Sequence, residues 1–247
     1  MRHFRSPGLG VSDKTAEEGG RDGFDPVTEA DRAAEAAMRA ELAERRPQDG
    51  ILGEEFASVV GESGLTWVLD PIDGTRGFMS GTPTWGVLIA VSRGDDPLYG
   101  IVDQPYIGER FEGGFGRARL TGPRGETPLA VRDVTDLSQA TLLTTFPEVG
   151  TAEEGRAFRA VSERARLTRY GLDCYGYALL ALGQVDLVIE AGLAPYDIHG
   201  PLAVVEAAGG IVTDWRGGPA GRGGRVVAAA TPALHAAALE VLASALA

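Results

Sequence analysis

The sequence predicts an α/β chain of two layered halves, and three observations carry that reading. Short apolar or β-branched runs ended by Asp, Gly or Pro recur through the first half, as strands of one sheet do. After residue 134, strand-like runs alternate with helical ones, the pattern of a layered α/β architecture. The 247 residues are 44% hydrophobic and 23% charged, close to the globular average, so a chain of this size can bury about 70–75% of its unfolded surface. The halves divide at 1–133, α+β in character, and 134–247.

Thr28 caps the first expected helix, in which Ala30, Ala33, Ala37, Met38 and Leu42 recur at helical spacing. Asp31 stands three residues after the cap as in a capping box, and Arg46-Pro47 ends the helix. Residues 67–69, 86–91 and 98–102 read as strands, and 113–128, rich in Gly, Arg and Pro, as a hairpin region. The second half reads as strand 141–145, helix 153–165, strand 167–170, helix 175–182 and strand 185–189. Helix 198–208, strands 211–214 and 226–229 and a terminal helix complete it. Residues 226–247 are the most apolar stretch, but Pro232, His235 and Glu240 interrupt them, so they read as a strand and a packed helix rather than a membrane span.

The formal charge of −12, from 35 acidic against 23 basic residues, argues against nucleic-acid binding, which gathers Lys and Arg on one face. The same charge repels a small anionic substrate unless arginines or metal ions supply local cations. The single cysteine, Cys174, excludes an intramolecular disulfide and fits a reducing compartment. Residues 1–10 are basic but lack the apolar core of a signal peptide, so a cytoplasmic protein is expected.

The most informative segment is Trp67-Val68-Leu69-Asp70-Pro71-Ile72-Asp73-Gly74-Thr75, an apolar strand that ends in two carboxylates and a Gly-Thr turn. Carboxylates at this spacing can converge on a hard cation, with Asp70 shared between two ions, while Pro71 stiffens the turn and frees the Ile72 carbonyl as a neutral ligand. Gly74 lets the backbone approach a ligand, and the amides opening the next helix can cradle phosphate oxygens. Oxygen-only ligands favour magnesium over zinc. Taken alone, the segment equally fits a turn in which Asp70 ends the strand and Asp73 caps a helix. Gly53-Glu54-Glu55 upstream and Pro195-Tyr196-Asp197 downstream add acidic sites, although Glu54 and Glu55 also fit exposed loop charges and Asp197 an N-cap.

With Asp31 in Asp25-Pro26-Val27-Thr28-Glu29-Ala30-Asp31, these segments resemble, in order and spacing, the signature of the inositol monophosphatase family of magnesium-dependent phosphatases. The likeness runs from about Asp22 to the terminal helix. It implies an α-β-α-β-α layered sandwich, usually a homodimer, acting on a small phosphomonoester. It implies Glu54, Asp70 and the Ile72 carbonyl as ligands of a first magnesium, and Asp70, Asp73 and Asp197 as ligands of a second. The same likeness implies that Glu54 also helps a third, weaker ion. By the same likeness Gly74 and Thr75 bind phosphate through their amides, the Thr75 hydroxyl and Asp31 orient the attacking water, and Glu55 acts through water. Two or three ions would cancel the repulsion of phosphate, and no covalent nucleophile is required. Cys174 lacks the Gly and Arg cluster of a phosphatase nucleophile, and His3, His199 and His235 lack metal-ligand spacing.

Within the family, Arg76-Gly77-Phe78-Met79-Ser80-Gly81, Gly100-Ile101-Val102-Asp103-Gln104-Pro105 and Tyr170-Gly171-Leu172-Asp173-Cys174-Tyr175 are most similar to the histidinol-phosphate phosphatase branch. Asp173 stands where inositol phosphatases usually carry a small residue, and Glu190 falls at the position that contacts substrate hydroxyls there. Two carboxylates suit an ammonium and an imidazole better than a neutral polyol. The other reading of Asp173 is a cap on the helix at 175–182. The expected activity is hydrolysis of L-histidinol phosphate, a step of histidine biosynthesis. The alternatives are an inositol-1-phosphate or 3′-phosphonucleotide phosphatase of the same family and a non-catalytic metal-binding regulatory protein, which would not need Asp31 and Thr75. Family members usually begin with a helix before the segment matching 5–14, and this sequence starts at about that helix's end: either the start is assigned late or the helix is lost, and its loss would uncover core surface.

Overall fold

The computed structural model describes residues 3–6, 10–13 and 26–247, so Lys14, Asp22 and Asp25 of the expected motifs lie outside the described residues. A short ribbon of β1 (Val11–Asp13) and β2 (Pro26–Thr28) leads into helix α1 (Glu29–Arg45). The first sheet runs in chain order through β3 (Gly50–Gly53), β4 (Thr66–Asp73), β5 (Gly86–Arg93), β6 (Asp96–Gln104), β7 (Glu109–Gly114), β8 (Arg117–Gly122) and β9 (Gly125–Pro128), with the short helix α2 (Thr75–Ser80) after β4. Within this sheet only β3 and β4 run parallel, and the hairpins expected over 113–128 are β7 to β9.

The second sheet has the order β11-β10-β12-β14-β13, built from β10 (Thr141–Thr144), β11 (Leu167–Tyr170), β12 (Leu187–Leu193), β13 (Ile211–Asp214) and β14 (Gly224–Ala229). Helices α3 (Ala152–Ser162), α4 (Asp173–Ala181), α5 (Pro195–Ala207) and α6 (Pro232–Leu246) alternate with its strands. Helices α4 and α5 lie against each other between the sheets, α3 packs with α6 outside the second sheet, and α1 lies on β4, so the layers are α-β-α-β-α. Strand periodicity divides the core: Leu187 and Ile189 of β12 join Phe158, Leu234 and Leu242 on the outer side, while Val188 joins Phe111, Leu180, Ile198 and Val204 on the inner side. Glu190 shares the parity of Val188 and so turns toward the middle layer.

Helix α5 approaches the first sheet closely because Gly100 of β6 and Gly113 of β7 stand opposite each other. A Cβ on Gly100 would lie 2.4 Å from the Gly200 carbonyl oxygen, and one on Gly113 2.4 Å from the Val204 Cα. That contact sets the height of α5, and with it the place of Asp197 in its first turn.

One strand lies outside the sequence pattern, and one expectation is corrected. Strand β3 was not marked by the sequence pattern, because half of its four residues are glycine and it is read only beside β4. On α1 the buried residues are Ala30, Asp31 and Glu35, whereas Ala33 and Ala37 are exposed. The helix turns Asp31 and Glu35 inward, where they accept hydrogen bonds from Thr28 and Glu55, while Glu29, Glu41 and Glu44 stay exposed. No described helix is long and apolar enough to cross a membrane.

Candidate active site

The ladder between β4 and β5 is regular up to Asp70 opposite Leu88 and resumes at Asp73 opposite Gly86. Pro71 has no N–H to give the ladder, and the Ile72 N–H donates instead to Asp70 Oδ1 at 3.0 Å. The bulge brings both carboxylates to the strand end and leaves the Ile72 carbonyl accepting from the Thr75 hydroxyl at 3.2 Å. Gly74, not Asp73, is the N-cap of α2, at φ +81°, where a side chain would be strained. A Cβ there would also lie 2.8 Å from the Asp173 Cγ.

Asp197 occupies the third position of α5, where its Oδ2 accepts from the Ala194 N–H at 2.7 Å and secures the helix start. Asp70 and Asp73 of one strand end and Asp197, more than a hundred residues later in sequence, each place a carboxylate oxygen within 4.8 Å of the others. Burial first, then Glu54, Asp73 and Asp197, push Asp70 well above the usual carboxylate range. Burial, Asp173 and Asp197 push Asp73 up likewise, against the Cys174 N–H that donates to its Oδ2 at 2.6 Å. Three sequestered carboxylates that repel one another and offer only oxygens fit a hard divalent cation. Glu54 stands beside Asp70 but is not one of the three.

The turn carrying Glu54 and Glu55 is held by a residue that the sequence reading missed. Glu35 is fully buried on α1, one helical turn after Asp31, and accepts from the Glu55 N–H at 2.7 Å and from Arg39 Nε at 2.7 Å. Arg39 also donates to the Phe56 carbonyl at 3.0 Å. A Cβ on Gly53 would meet Glu35 Oε1 at 2.0 Å, so glycine is required for the two to sit together. The available signal was a second carboxylate at i+4 from Asp31 on an alanine-rich helix. Asp31 itself is buried and accepts from the Thr28 N–H at 2.9 Å and from the Thr28 hydroxyl.

Beside the carboxylates opens a cavity of about 240 Å³ lined by Asp73, Thr145, Phe146, Asp173, Tyr177 and Glu190, among others. Asp173 is the first residue of α4, and Leu172, not Asp173, takes the N-cap position. Its backbone sits at φ +45°, uncommon for a residue with a side chain. Burial raises its carboxyl to about 6, with Arg76 acting against the rise. Glu190 is raised to about 7 by burial, although it accepts from the Thr145 N–H at 2.7 Å and from the Thr145 and Thr144 hydroxyls at 2.9 and 3.2 Å. The Arg76 guanidinium lies 4.9 Å over the Phe146 ring at the same opening. Tyr177 is buried, and its phenol is raised well above its ordinary value by burial and then by Glu190.

Cys174 is buried, and burial together with Asp73 raises its thiol well above the ordinary value, so it stays protonated and unreactive. His199 is buried between the Ser92 hydroxyl and the Gly221 carbonyl, each at 2.7 Å. The carbonyl can only accept, so Nε2 donates and Nδ1 accepts, and the ring is a neutral packing residue.

Residues 3–247 match the model of the inositol monophosphatase family. Over 199 residues the chain is 44% identical to the chloroplastic bifunctional phosphatase IMPL2 of Arabidopsis thaliana, a match that covers 80% of this chain and 57% of the plant protein. It is 37% identical over 209 residues to a histidinol-phosphatase of Mycobacterium tuberculosis, covering 82% of this chain and 79% of that one. Among solved structures it resembles an inositol monophosphatase from Zymomonas mobilis with a TM-score of 0.84 and 38% identity, over 98% of this chain and 90% of that chain. With the family model matched almost end to end over an α-β-α-β-α sandwich, the chain belongs to the inositol monophosphatase family.

Proposed function

We propose that this chain is a magnesium-dependent phosphomonoesterase that hydrolyses L-histidinol phosphate to L-histidinol and phosphate. The observation that carries the reading is that two carboxylates outside the acidic cluster, Asp173 and Glu190, line the same cavity as Asp73 and Asp197. A substrate anionic at one end and cationic at the other suits a cavity with a metal-binding wall and a carboxylate wall.

In this reading Glu54, Asp70, Asp73, Asp197 and the Ile72 carbonyl hold two or three magnesium ions. When bound, the ions neutralise phosphate charge and make water a better nucleophile at neutral pH. The Gly74 and Thr75 amides hold phosphate oxygens at the start of α2, and the Thr75 hydroxyl and Asp31 align the attacking water, with Glu55 acting through a further water. The phosphorus–oxygen ester bond breaks as water adds, and the alcohol leaves with a proton. Asp173 and Glu190 pair with the ammonium and imidazole of the leaving alcohol. The half 1–133 supplies most metal ligands, and the half 134–247 supplies Asp197 and the substrate pocket. The likeness to histidinol-phosphatases supports this substrate, and the likeness to a solved inositol monophosphatase supports inositol 1-phosphate as the second reading. A cytoplasmic homodimer belongs to the same proposal.

The test is phosphate release from histidinol phosphate, inositol 1-phosphate and adenosine 3′,5′-bisphosphate with magnesium. The expected order puts histidinol phosphate first. A preference for inositol phosphate would overturn the substrate, and full activity after removal of divalent ions would overturn the mechanism.

A further inference from the structure

Among the residues lining the cavity Tyr177 stands apart: it is only 3% exposed, and its hydroxyl is buried with no hydrogen-bond partner among the described residues. A buried phenolic O–H left unpaired is costly, and phenylalanine would fill the same space without that cost. Tyr177 lies one helical turn after Asp173 on α4, so both face the cavity from the same side of the helix. Glu190 acts on it most strongly among the charges, followed by Asp73 and Asp197. Glu190 itself is tied down by three hydrogen bonds from Thr144 and Thr145. The carboxylates of this wall accept hydrogen bonds, whereas the Tyr177 O–H is a donor that lacks an acceptor.

We infer that Tyr177 is a specificity-determining residue whose hydroxyl donates to the unprotonated ring nitrogen of an azole on the leaving alcohol, while Glu190 accepts from the ring N–H on the other side. The inference rests on the histidinol phosphate reading and deepens it. A neutral imidazole carries one donor and one acceptor at fixed positions on its ring, which matches a carboxylate and a hydroxyl held rigidly on two elements. Asp173 is then left for the ammonium. The arrangement selects phosphomonoesters of amino alcohols that bear such a ring.

The test compares histidinol phosphate with phenylalaninol phosphate, which keeps the ammonium and the phosphate but has no ring nitrogen. Wild type is expected to favour histidinol phosphate in kcat/KM by at least about tenfold, the scale of a site left with unpaired polar groups. In Tyr177→Phe that preference shrinks by about tenfold, mainly through KM. The melting temperature of the ligand-free variant holds or rises, because no hydrogen bond within the protein is lost. An unchanged preference in the variant, or a fall in its melting temperature with preference intact, overturns the inference and leaves the substrate reading standing. Equal use of the two esters by wild type overturns it without needing the variant. Failure of wild type to hydrolyse histidinol phosphate at all sinks the substrate reading and this inference with it.

Discussion

Replacing Glu35 by glutamine tests whether the acidic turn is positioned from behind. The carboxylate is fully buried and takes two charge-assisted bonds of 2.7 Å, one from the Glu55 N–H and one from Arg39 Nε. The amide can still accept from one of them, but its NH2 then faces the other donor. Each such bond contributes about 1.5–3 kcal/mol, and removing one partner of a buried pair costs about 3–5 kcal/mol. For a chain of this length that is a fall in melting temperature of about 6–20 °C. Because Glu55 follows Glu54 directly, loosening this clamp also moves a proposed metal ligand, and the magnesium needed for half-maximal activity should rise about 10–100-fold, as when outer-shell partners are removed elsewhere. Thermal melts and magnesium titrations of activity read the two effects separately. A large loss of melting temperature with an unchanged magnesium requirement would refute the positioning role and leave Glu35 a fold residue. No change in melting temperature would refute the clamp itself.

Asp73→Asn and Asp197→Asn should each lower kcat by at least about a hundredfold with the circular dichroism spectrum intact, since the amide introduced at the start of α5 can still accept from the Ala194 N–H. Near-normal turnover at saturating magnesium would remove these residues from the metal site. Thr75→Ala should lower kcat far more than it raises KM, as a group acting on the attacking water does, whereas a rise in KM alone would make Thr75 a phosphate binder only. Asp173→Ala should cost about 2–5 kcal/mol in kcat/KM for histidinol phosphate and far less for inositol 1-phosphate, and an unchanged ratio would take Asp173 out of substrate recognition. Away from the site, hydrogen bonding to Arg46 lowers the Asp49 carboxyl from its ordinary 3.8 to about 2. A folded-state value below the unfolded one stabilises above about pH 4 and is lost as pH falls toward 2, so Asp49→Asn should flatten the fall in melting temperature over that range, and an identical slope would contradict the pairing.

Much of this molecule is written in local patterns. The capping box of Thr28 and Asp31, the apolar run before Asp70, the Pro71 break in the ladder and the alternation after residue 134 each depend on neighbours within a few residues, so the elements and the strand-end carboxylates were legible. The order of the acidic motifs likewise carried the likeness to the family. Other features needed the third dimension. Asp197 meets Asp70 only because a glycine pair on β6 and β7 lets α5 settle close to the sheet. Glu35 reads in sequence as one more exposed helix charge, and it is buried because the acidic turn lies against that face of α1. Asp173 has the spacing of a cap, yet Leu172 takes the cap position and the Asp173 carboxyl stands against Gly74. Tyr177 follows the spacing of a core residue, and whether its hydroxyl meets a partner is decided by what β12 sets opposite. The sequence by itself determined which elements form and which carboxylates stand at their ends, because hydrogen bonding and periodicity act over a few residues. Only the tertiary structure decided which side chains converge, because burial and mutual repulsion depend on elements far apart in the chain.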